Sequence, residues 1–267
     1  MLACLATPVD SALAAKPSPR VVASEATTSE RAQQDALRAI PLDKMTPADR
    51  ARVSAVLSNV SIFRRLPTKV IDCDPEMYLF LVRHPDVVVD IWDVLKVSRL
   101  QLWQTGEGRF GIAEPAGASG TLRYAYRSQS LHVVYADGVY QGPLLARPIR
   151  GHVVLALRTA YAREADNRYH ITSRMDCFLN IEPAGAELLA KTVSPLMGQT
   201  ADNNFLLTAA FVSSLSRTAE LNPAKIQSLA TKLAGVRPEV RSEFSDIAGK
   251  VAHKATVAAR PASATER

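Results

Sequence analysis

The chain has few of the residues that mark a specialised chemistry. Only 3 cysteines occur among its 267 residues, and Cys4, Cys73 and Cys177 lack the spacing of a zinc knuckle. The 5 histidines form no pair at the i, i+2 or i, i+4 spacing typical of metal ligands. No Ser-His-Asp or Cys-His motif occurs either. The sequence therefore predicts no metal or cofactor and assigns no catalytic residue.

Long apolar runs and blocks of one charge are also missing. The longest apolar run, at 206–212, is far too short to cross a bilayer. The net charge is +6, but the lysines and arginines are scattered and form no basic stripe for nucleic acid. The sequence GEGRFG at 106–111 fits G-x-G-x-x-G, yet no helix follows it to bind a phosphate. With 47% hydrophobic and 22% charged residues, the composition is that of a globular protein.

The first 45 residues lack the apolar periodicity of a folded element. The leader MLACLATPVDSALAA ends in small residues, and positions 11–14 resemble a signal-peptidase site, which predicts export to the periplasm or the exterior. No Lys or Arg precedes Lys16 and Asp10 interrupts the apolar part, so the alternatives are a truncated signal or a disordered Ala-rich leader of a cytoplasmic protein. Residues 16–45 are predicted to be a disordered linker.

Three further segments are predicted after the linker. Residues 46–221 form an α+β domain with its core at 61–221, residues 222–253 form a C-terminal helical extension, and residues 254–267 form a disordered tail. Thr46-Pro47 and Asp74-Pro75 each place a capping side chain before a proline, which predicts the start of a helix. The helix after Asp74 should end at His84-Pro85, with Asp86 capping the next one.

Six β-like segments follow between residues 99 and 181. The turn Gly106-Glu107-Gly108 predicts a hairpin between the first two. Alternation is cleanest at 168–181, where Met175 and Cys177 share one face while Arg174 and Asp176 share the other. Such strands predict an antiparallel sheet with one side in water, and we expect His132, His152 and His170 on that side.

The element order gives the fold. An early strand at 66–73, two short helices and the six strands precede a helical tail at 184–221, in which Pro195 and Gly198 should kink or split the helix. Asp202 is a candidate cap for the second piece. This order predicts a curved antiparallel sheet of about seven strands wrapped on a C-terminal helix.

The same order resembles the START-like, helix-grip superfamily, which includes lipid-transfer domains and polyketide cyclases. The sequence IDCDPE at 71–76 is similar to that superfamily's strand-to-helix junction, and His84-Pro85-Asp86 with Trp92 is similar to its second helix. The resemblance covers residues 61–221, about 60% of the chain. It implies a hydrophobic ligand between sheet and helix, although proline inside the last helix departs from the family pattern.

Our first functional hypothesis is non-enzymatic binding of a lipid or another hydrophobic small molecule. Ligand sites are mostly apolar with few polar anchors, so Arg123 or Tyr161 would orient a head group. The predicted wall residues are Tyr124, Tyr126, Tyr135, Leu155, Leu157, Met175 and Leu207. The alternative is that these residues fill a solid core.

Two other functions remain open on the same fold. A cyclase- or hydrolase-type enzyme would need inward polar groups, for which Glu114 and Asp72 are the candidates. A structural or interaction protein would use residues 223–253 as its partner surface.

The helix-grip order makes the first and last strands neighbours, and each of these two strands contains one cysteine. Cys73 and Cys177 each share alternation with apolar residues. They therefore form either a disulfide, if the protein is exported, or two buried thiols.

Overall fold

One antiparallel sheet dominates the computed structural model, which describes residues 24–142, 147–163, 168–182 and 194–258. Its strands are β1 (Ile62–Arg65), β2 (Lys69–Asp72), β3 (Gln101–Gly106), β4 (Arg109–Ala113), β5 (Ala118–Arg127), β6 (Leu131–Tyr140), β7 (Ile149–Arg163) and β8 (Tyr169–Ile181). The 8-stranded sheet is open, with the order β1-β8-β7-β6-β5-β4-β3 and with β2 also paired to β8. The predicted α+β class is confirmed, and the arrangement is compatible with a helix grip.

Helices precede, interrupt and follow the strands. They are α1 (Glu30–Ala39), α2 (Pro47–Ser58), α3 (Pro75–Arg83), α4 (Pro85–Val94), α5 (Ser194–Leu221), α6 (Pro223–Ala230) and α7 (Pro238–Ala258). Two predicted caps are confirmed, since the Thr46 side chain accepts from the Asp49 amide and the Asp74 side chain accepts from two amides of α3. No helix among the described residues combines the length and the apolar content that a bilayer span requires.

The early strand predicted at 66–73 contains β2, and a second short strand, β1, precedes it along β8. Ile62 of β1 pairs with Leu179, whereas Ile71 of β2 pairs with Ile171. The break falls at Pro67, whose missing N–H cannot join the ladder. Both strands therefore lie at the same edge of the sheet, one after the other.

Helices cover both faces of the sheet, which corrects the expectation of one side in water. Helices α1 and α2 pack on what we call the N-terminal face, where Phe63, Val154 and Phe178 are buried. Helix α1 also lies within residues 16–45, so the linker predicted there is wrong for this part. The packing of α1 on the sheet is hard to predict from the sequence, because the buried side of the helix consists of the small residues Ala32 and Ala36.

Charged side chains are buried on the same N-terminal face. The carboxylate of Asp176 is fully buried and accepts from Arg65 Nε at 2.5 Å and from an Arg158 guanidinium nitrogen at 2.7 Å. Asp35 of α1 accepts from both arginines at 2.7 Å. The hydrogen bond from Arg158 is the main reason that the pKa of Asp35 lies well below its ordinary value. This network joins α1 to three strands.

The C-terminal helices pack on α3 and on the opposite, C-terminal face. Helix α5 is continuous from Ser194 to Leu221, so the tail is not split at Gly198, and Pro195 falls in the first turn, where its missing N–H is not needed. Residues 184–193 of the predicted tail lie outside the described residues. Helix α7 buries Phe244, whose ring stacks on Phe80 of α3 at 5.7 Å. Helix α7 also continues to Ala258, into the segment predicted to be disordered; residues 259–267 lie outside the described residues.

Candidate functional site on the C-terminal face

Strand pairing decides which side chains share the C-terminal face. Leu155 of β7 pairs with Val134 of β6 and with Cys177 of β8, so the three side chains lie side by side. The preceding residue of β7, Val154, belongs to the other face and is fully buried there. Leu155 and its partners are only partly buried. The C-terminal face is therefore the more open of the two.

Partly exposed apolar side chains form three consecutive rows across this face. One row crosses from β5 to β1, the next from β6 to β8, and the third joins β7 to β8. We call this surface the C-terminal groove, and its members are Ile62, Leu122, Val134, Ala136, Val153, Leu155, Leu157, Met175, Cys177 and Leu179. Cross-strand neighbours are about 5 Å apart, so the apolar surface is continuous.

A row of glycines borders the groove. Gly120 pairs with Gly138, which pairs with Gly151, and the row ends on Ile112 and Ile181. A Cβ at Gly138 would meet, among the described residues, just the Ser119 carbonyl oxygen within 4 Å, at 3.3 Å. The strip therefore exposes backbone without side chains, next to the apolar rows of the groove.

Helix α5 forms one wall of the groove. The Arg64 guanidinium, which lies beside Cys177, donates to Asp202 of α5 with Nε–Oδ1 at 2.8 Å. Asp202 is thus an ion-pair partner within the helix and not the predicted cap. Ser213 Oγ donates to the Asp72 carbonyl at 3.0 Å, and Ser216 Oγ accepts from the Asp74 amide at 3.0 Å. These bonds fix α5 along the β1–β2 edge, away from the central strands.

Helix α3 closes one end of the groove. The Tyr78 hydroxyl lies 3.2 Å from Thr159 Oγ1 and 3.1 Å from Ser173 Oγ. The Tyr124 hydroxyl donates to the Val82 carbonyl of the same helix, and burial raises the pKa of Tyr124. Both tyrosines are therefore neutral structural contacts between helix and sheet.

His132 lies beneath this end, which contradicts its predicted place in water. It pairs with Leu157 on the C-terminal face and is 1% exposed. Neither ring nitrogen has a hydrogen-bond partner among the described residues. Burial, aided by Arg83 and Arg127, lowers the pKa of His132 to about 4, so the ring is neutral at pH 7.

Asp86 is a second buried polar group near α3. It is the second residue of α4 and makes no capping bond, so the predicted cap is wrong. Asp86 is 1% exposed, and neither of its carboxyl oxygens has a hydrogen-bond partner among the described residues. Burial raises its pKa. Of the other predicted water-facing histidines, His152 is partly buried and bonds to Tyr135.

The predicted wall residues separate into groups. Leu155, Leu157 and Met175 lie together in the groove. Tyr161 shares their face, but its hydroxyl donates to the Gln129 carbonyl at 3.0 Å. Leu207 of α5 is 58% exposed.

Three other predicted residues lie on the N-terminal face and cannot line the same groove. Tyr126 pairs with Val133, and Arg123 pairs with Tyr135, all on the side of α2. Alternation predicted Tyr124 and Tyr126 on one face, but the register shifts between them. The extra residue of this bulge, Ala125, puts the two tyrosines on opposite faces.

Of the two alternatives for Cys73 and Cys177, the structure has the free thiols and not the disulfide. Asp72, the residue before Cys73, pairs with His170, seven residues along β8 from Cys177. That separation is about 23 Å at the usual rise of a strand, far beyond the reach of a disulfide. Burial raises the pKa of each thiol to about 12, so both thiols are protonated at pH 7.

Asp72 and Glu114, the two candidates for enzymatic chemistry, lie on different parts of the sheet and do not form a catalytic set. Asp72 accepts from Arg168 at 2.7 Å. Burial raises the pKa of Glu114, but Glu114 lies in the β4–β5 turn, where its backbone bonds to Ala118 and Gly117. Within the described residues, no group of three His, Cys, Asp or Glu side chains could hold a metal ion.

Comparison with known proteins assigns no family. No protein-family model matches the chain, and no curated protein matches it. Among solved structures, it is similar to the crystal structure of a hypothetical protein from Helicobacter pylori, with a TM-score of 0.35 and 11% identity, over 56% of this chain and 84% of that chain. A similarity at this level supports no functional conclusion.

Two features of the groove have no local signal in the sequence. The glycine row joins three strands, and glycines 120, 138 and 151 reveal it only when the register is known. Arg64 and Asp202 are 138 residues apart, so their pairing has no local signal. His132 gave a misleading signal, because the strand on which it lies has partly buried residues on both sides.

Proposed function

We propose that the C-terminal groove binds a lipid or another hydrophobic small molecule. The observation that carries the proposal is the continuous set of partly exposed apolar side chains across five strands. Contiguous apolar surface is costly to leave in water and commonly marks a binding site. On the N-terminal face the equivalent side chains are buried by α1 and α2.

The shape of the groove favours an elongated apolar ligand. From β5 to β1 the row through Leu122, Val153 and Leu179 spans four strand spacings, about 19 Å. Its floor carries no charged residue, and the nearest cation, Arg64, is already paired with Asp202. An acyl chain or a flat polycyclic lipid meets these requirements.

The resemblance to the START-like superfamily supports the same proposal. The junction at Asp74 forms the predicted capped helix, and α5 lies along the β1–β2 edge of the sheet, a position compatible with a helix grip. Lipid-transfer members of that superfamily bind their ligand between sheet and helix, so membership would place the ligand on this face.

Native mass spectrometry of gently purified protein tests the proposal, followed by titration with a fluorescent fatty acid and displacement by unlabelled fatty acids and sterols. Leu155→Gln inserts a polar group into the floor, and we expect it to weaken binding about tenfold or more, since desolvating an amide costs 1.4 kcal/mol or more. Leu207→Gln is the matched control, because Leu207 is mostly exposed.

Two results would contradict the proposal. One is wild-type protein that carries no lipid and binds none of these probes. The other is equal loss of affinity in the Leu155 and Leu207 variants, which would place the bound probe outside the groove.

A further inference from the structure

A separate cleft lies on the N-terminal face, between α2 and the sheet. Its volume is about 330 Å³, and the residues used below are Ala51, Arg52, Ala55, Tyr135, His152 and Asn180. We call it the α2 cleft. Because it opens on the other side of the sheet from the C-terminal groove, the two sites share no lining residue.

The cleft exists because of the side chains that α2 turns towards it. Val53 and Val56 are buried and hold the helix on the sheet. Ala51 and Ala55 are one turn apart and therefore lie on one side of the helix. Their methyl groups are too small to reach the strands below, which leaves a slot with an apolar wall.

The opposite wall is flat. The rings of Tyr135 and His152 are nearly parallel, with an interplanar angle of 17° and centroids 6.0 Å apart. The Tyr135 hydroxyl and His152 Nδ1 are 2.9 Å apart and hydrogen-bonded. Because each ring restrains the other, this wall is preorganised for a planar partner.

Arg52 supplies the positive charge that lines the slot. Asp49 is shared by two guanidinium groups, those of Arg123 at 3.1 Å and Arg52 at 3.7 Å, so one carboxylate faces two cations. Asp137 lies 3.7 Å from His152 but is half exposed, so solvent screens its charge.

We propose that the α2 cleft binds a small aromatic monocarboxylate. Its ring would lie between the two alanines and the Tyr135–His152 wall, and its carboxylate would accept from Arg52. The volume is near the lower limit for ligand sites of about 300 Å³, which suits a single or fused pair of rings and excludes a lipid. The Asn180 amide nitrogen donates to the Asn59 carbonyl, leaving its oxygen as an acceptor at the rim.

Protein NMR titration of the full chain with benzoate and 1-naphthoate tests this proposal. We expect perturbation of the Ala51 and Ala55 methyl signals, and weaker binding of benzyl alcohol, which keeps the ring without the charge. Arg52→Ala should weaken carboxylate binding roughly tenfold to a hundredfold, the range for a hydrogen bond to a charged group. Arg50→Ala is the matched control, since Arg50 is exposed on the same helix and does not line the cleft.

A second variant separates shape from charge. Ala55→Leu fills the slot and should abolish binding, whereas Ala48→Leu, at an exposed position of the same helix outside the cleft, should not change it. Equal affinity for benzoate and benzyl alcohol, or unchanged affinity in both Arg52→Ala and Ala55→Leu, would overturn the proposal. So would perturbations confined to Leu155 and Met175, which would place the probe in the C-terminal groove.

Discussion

The two faces of the sheet are stabilised in different ways. On the N-terminal face the covering helices bury aromatic rings together with the ion-pair network around Asp176. On the C-terminal face the helices contact the edge and one end of the sheet, and the central apolar side chains stay partly exposed. The face richer in charged residues is therefore the closed one, and the face richer in apolar residues is the open one.

This contrast shows that the hydrophobicity of a side chain does not by itself decide whether it is buried in this sheet. Alternation along β8 gives two sets of side chains, and hydrophobicity alone would put Leu155 and Met175 inside and Asp176 outside. Asp176 is buried because Arg65 and Arg158 complete its hydrogen bonds, which a buried charge requires. The N-terminal face thus carries stability, while the C-terminal face retains the partly exposed apolar surface at which we propose that a ligand binds.

The largest expected effect is at the closed face. Asp176→Ala leaves the guanidinium groups of Arg65 and Arg158 with Asp35 as their remaining carboxylate partner, and removing one partner of a buried ion pair costs about 3–5 kcal/mol. Urea unfolding at pH 7 measures the free energy of unfolding. Asp137→Ala, at a half-exposed carboxylate on the same face, should cost less than about 1 kcal/mol. Equal losses in the two variants would mean that the network does not distinguish this face.

The free energy of unfolding should depend on pH through His132, which lies at the end of the C-terminal face that α3 covers. The pKa of His132 is lowered from 6.5 to about 4, so between these pH values the unfolded chain binds a proton that the folded chain does not. Stability is therefore present above pH 6.5 and is lost as the pH falls towards 4, by about 2–3 kcal/mol. His132→Leu should remove this part of the pH dependence when unfolding is followed from pH 7 to 4.

The comparison between variant and wild type isolates His132. Burial also lowers the pKa of His84, and that histidine contributes to both proteins equally. At pH 7 the leucine variant should be as stable as the wild type or more stable, because it removes two unpaired buried nitrogens. An unchanged pH slope would show that His132 is accessible to water in the folded protein.

Local patterns in the sequence predicted the fold well. The caps at Thr46 and Asp74 and the hairpin at Gly106-Glu107-Gly108 each depend on a few adjacent residues, and all three are confirmed. Helix α1 was missed because its buried side consists of alanines, which give little hydrophobic signal.

The candidate site was harder to predict because it depends on contacts between distant segments. Leu155, Leu157 and Met175 were found because simple alternation holds in β7 and β8. Tyr126 was assigned to the wrong face because one bulged residue inverts every side chain after it.

The smallest effects should come from the glycine row, where the paired residues Gly120 and Gly138 differ in the space around an added Cβ. A Cβ at Gly120 would lie 2.3 Å from the Asp137 carbonyl oxygen, so Gly120→Ala must displace backbone and should cost about 1–3 kcal/mol. At Gly138 the nearest atom is 3.3 Å away, and Gly138→Ala should change the free energy of unfolding by no more than about 0.5 kcal/mol, since reduced freedom of the unfolded chain offsets the tight contact. The added methyl group projects into the groove, however, and should weaken binding of the fluorescent fatty acid. Loss of affinity without loss of stability at Gly138 would show that the open face serves binding, whereas unchanged affinity would place the ligand away from this strip.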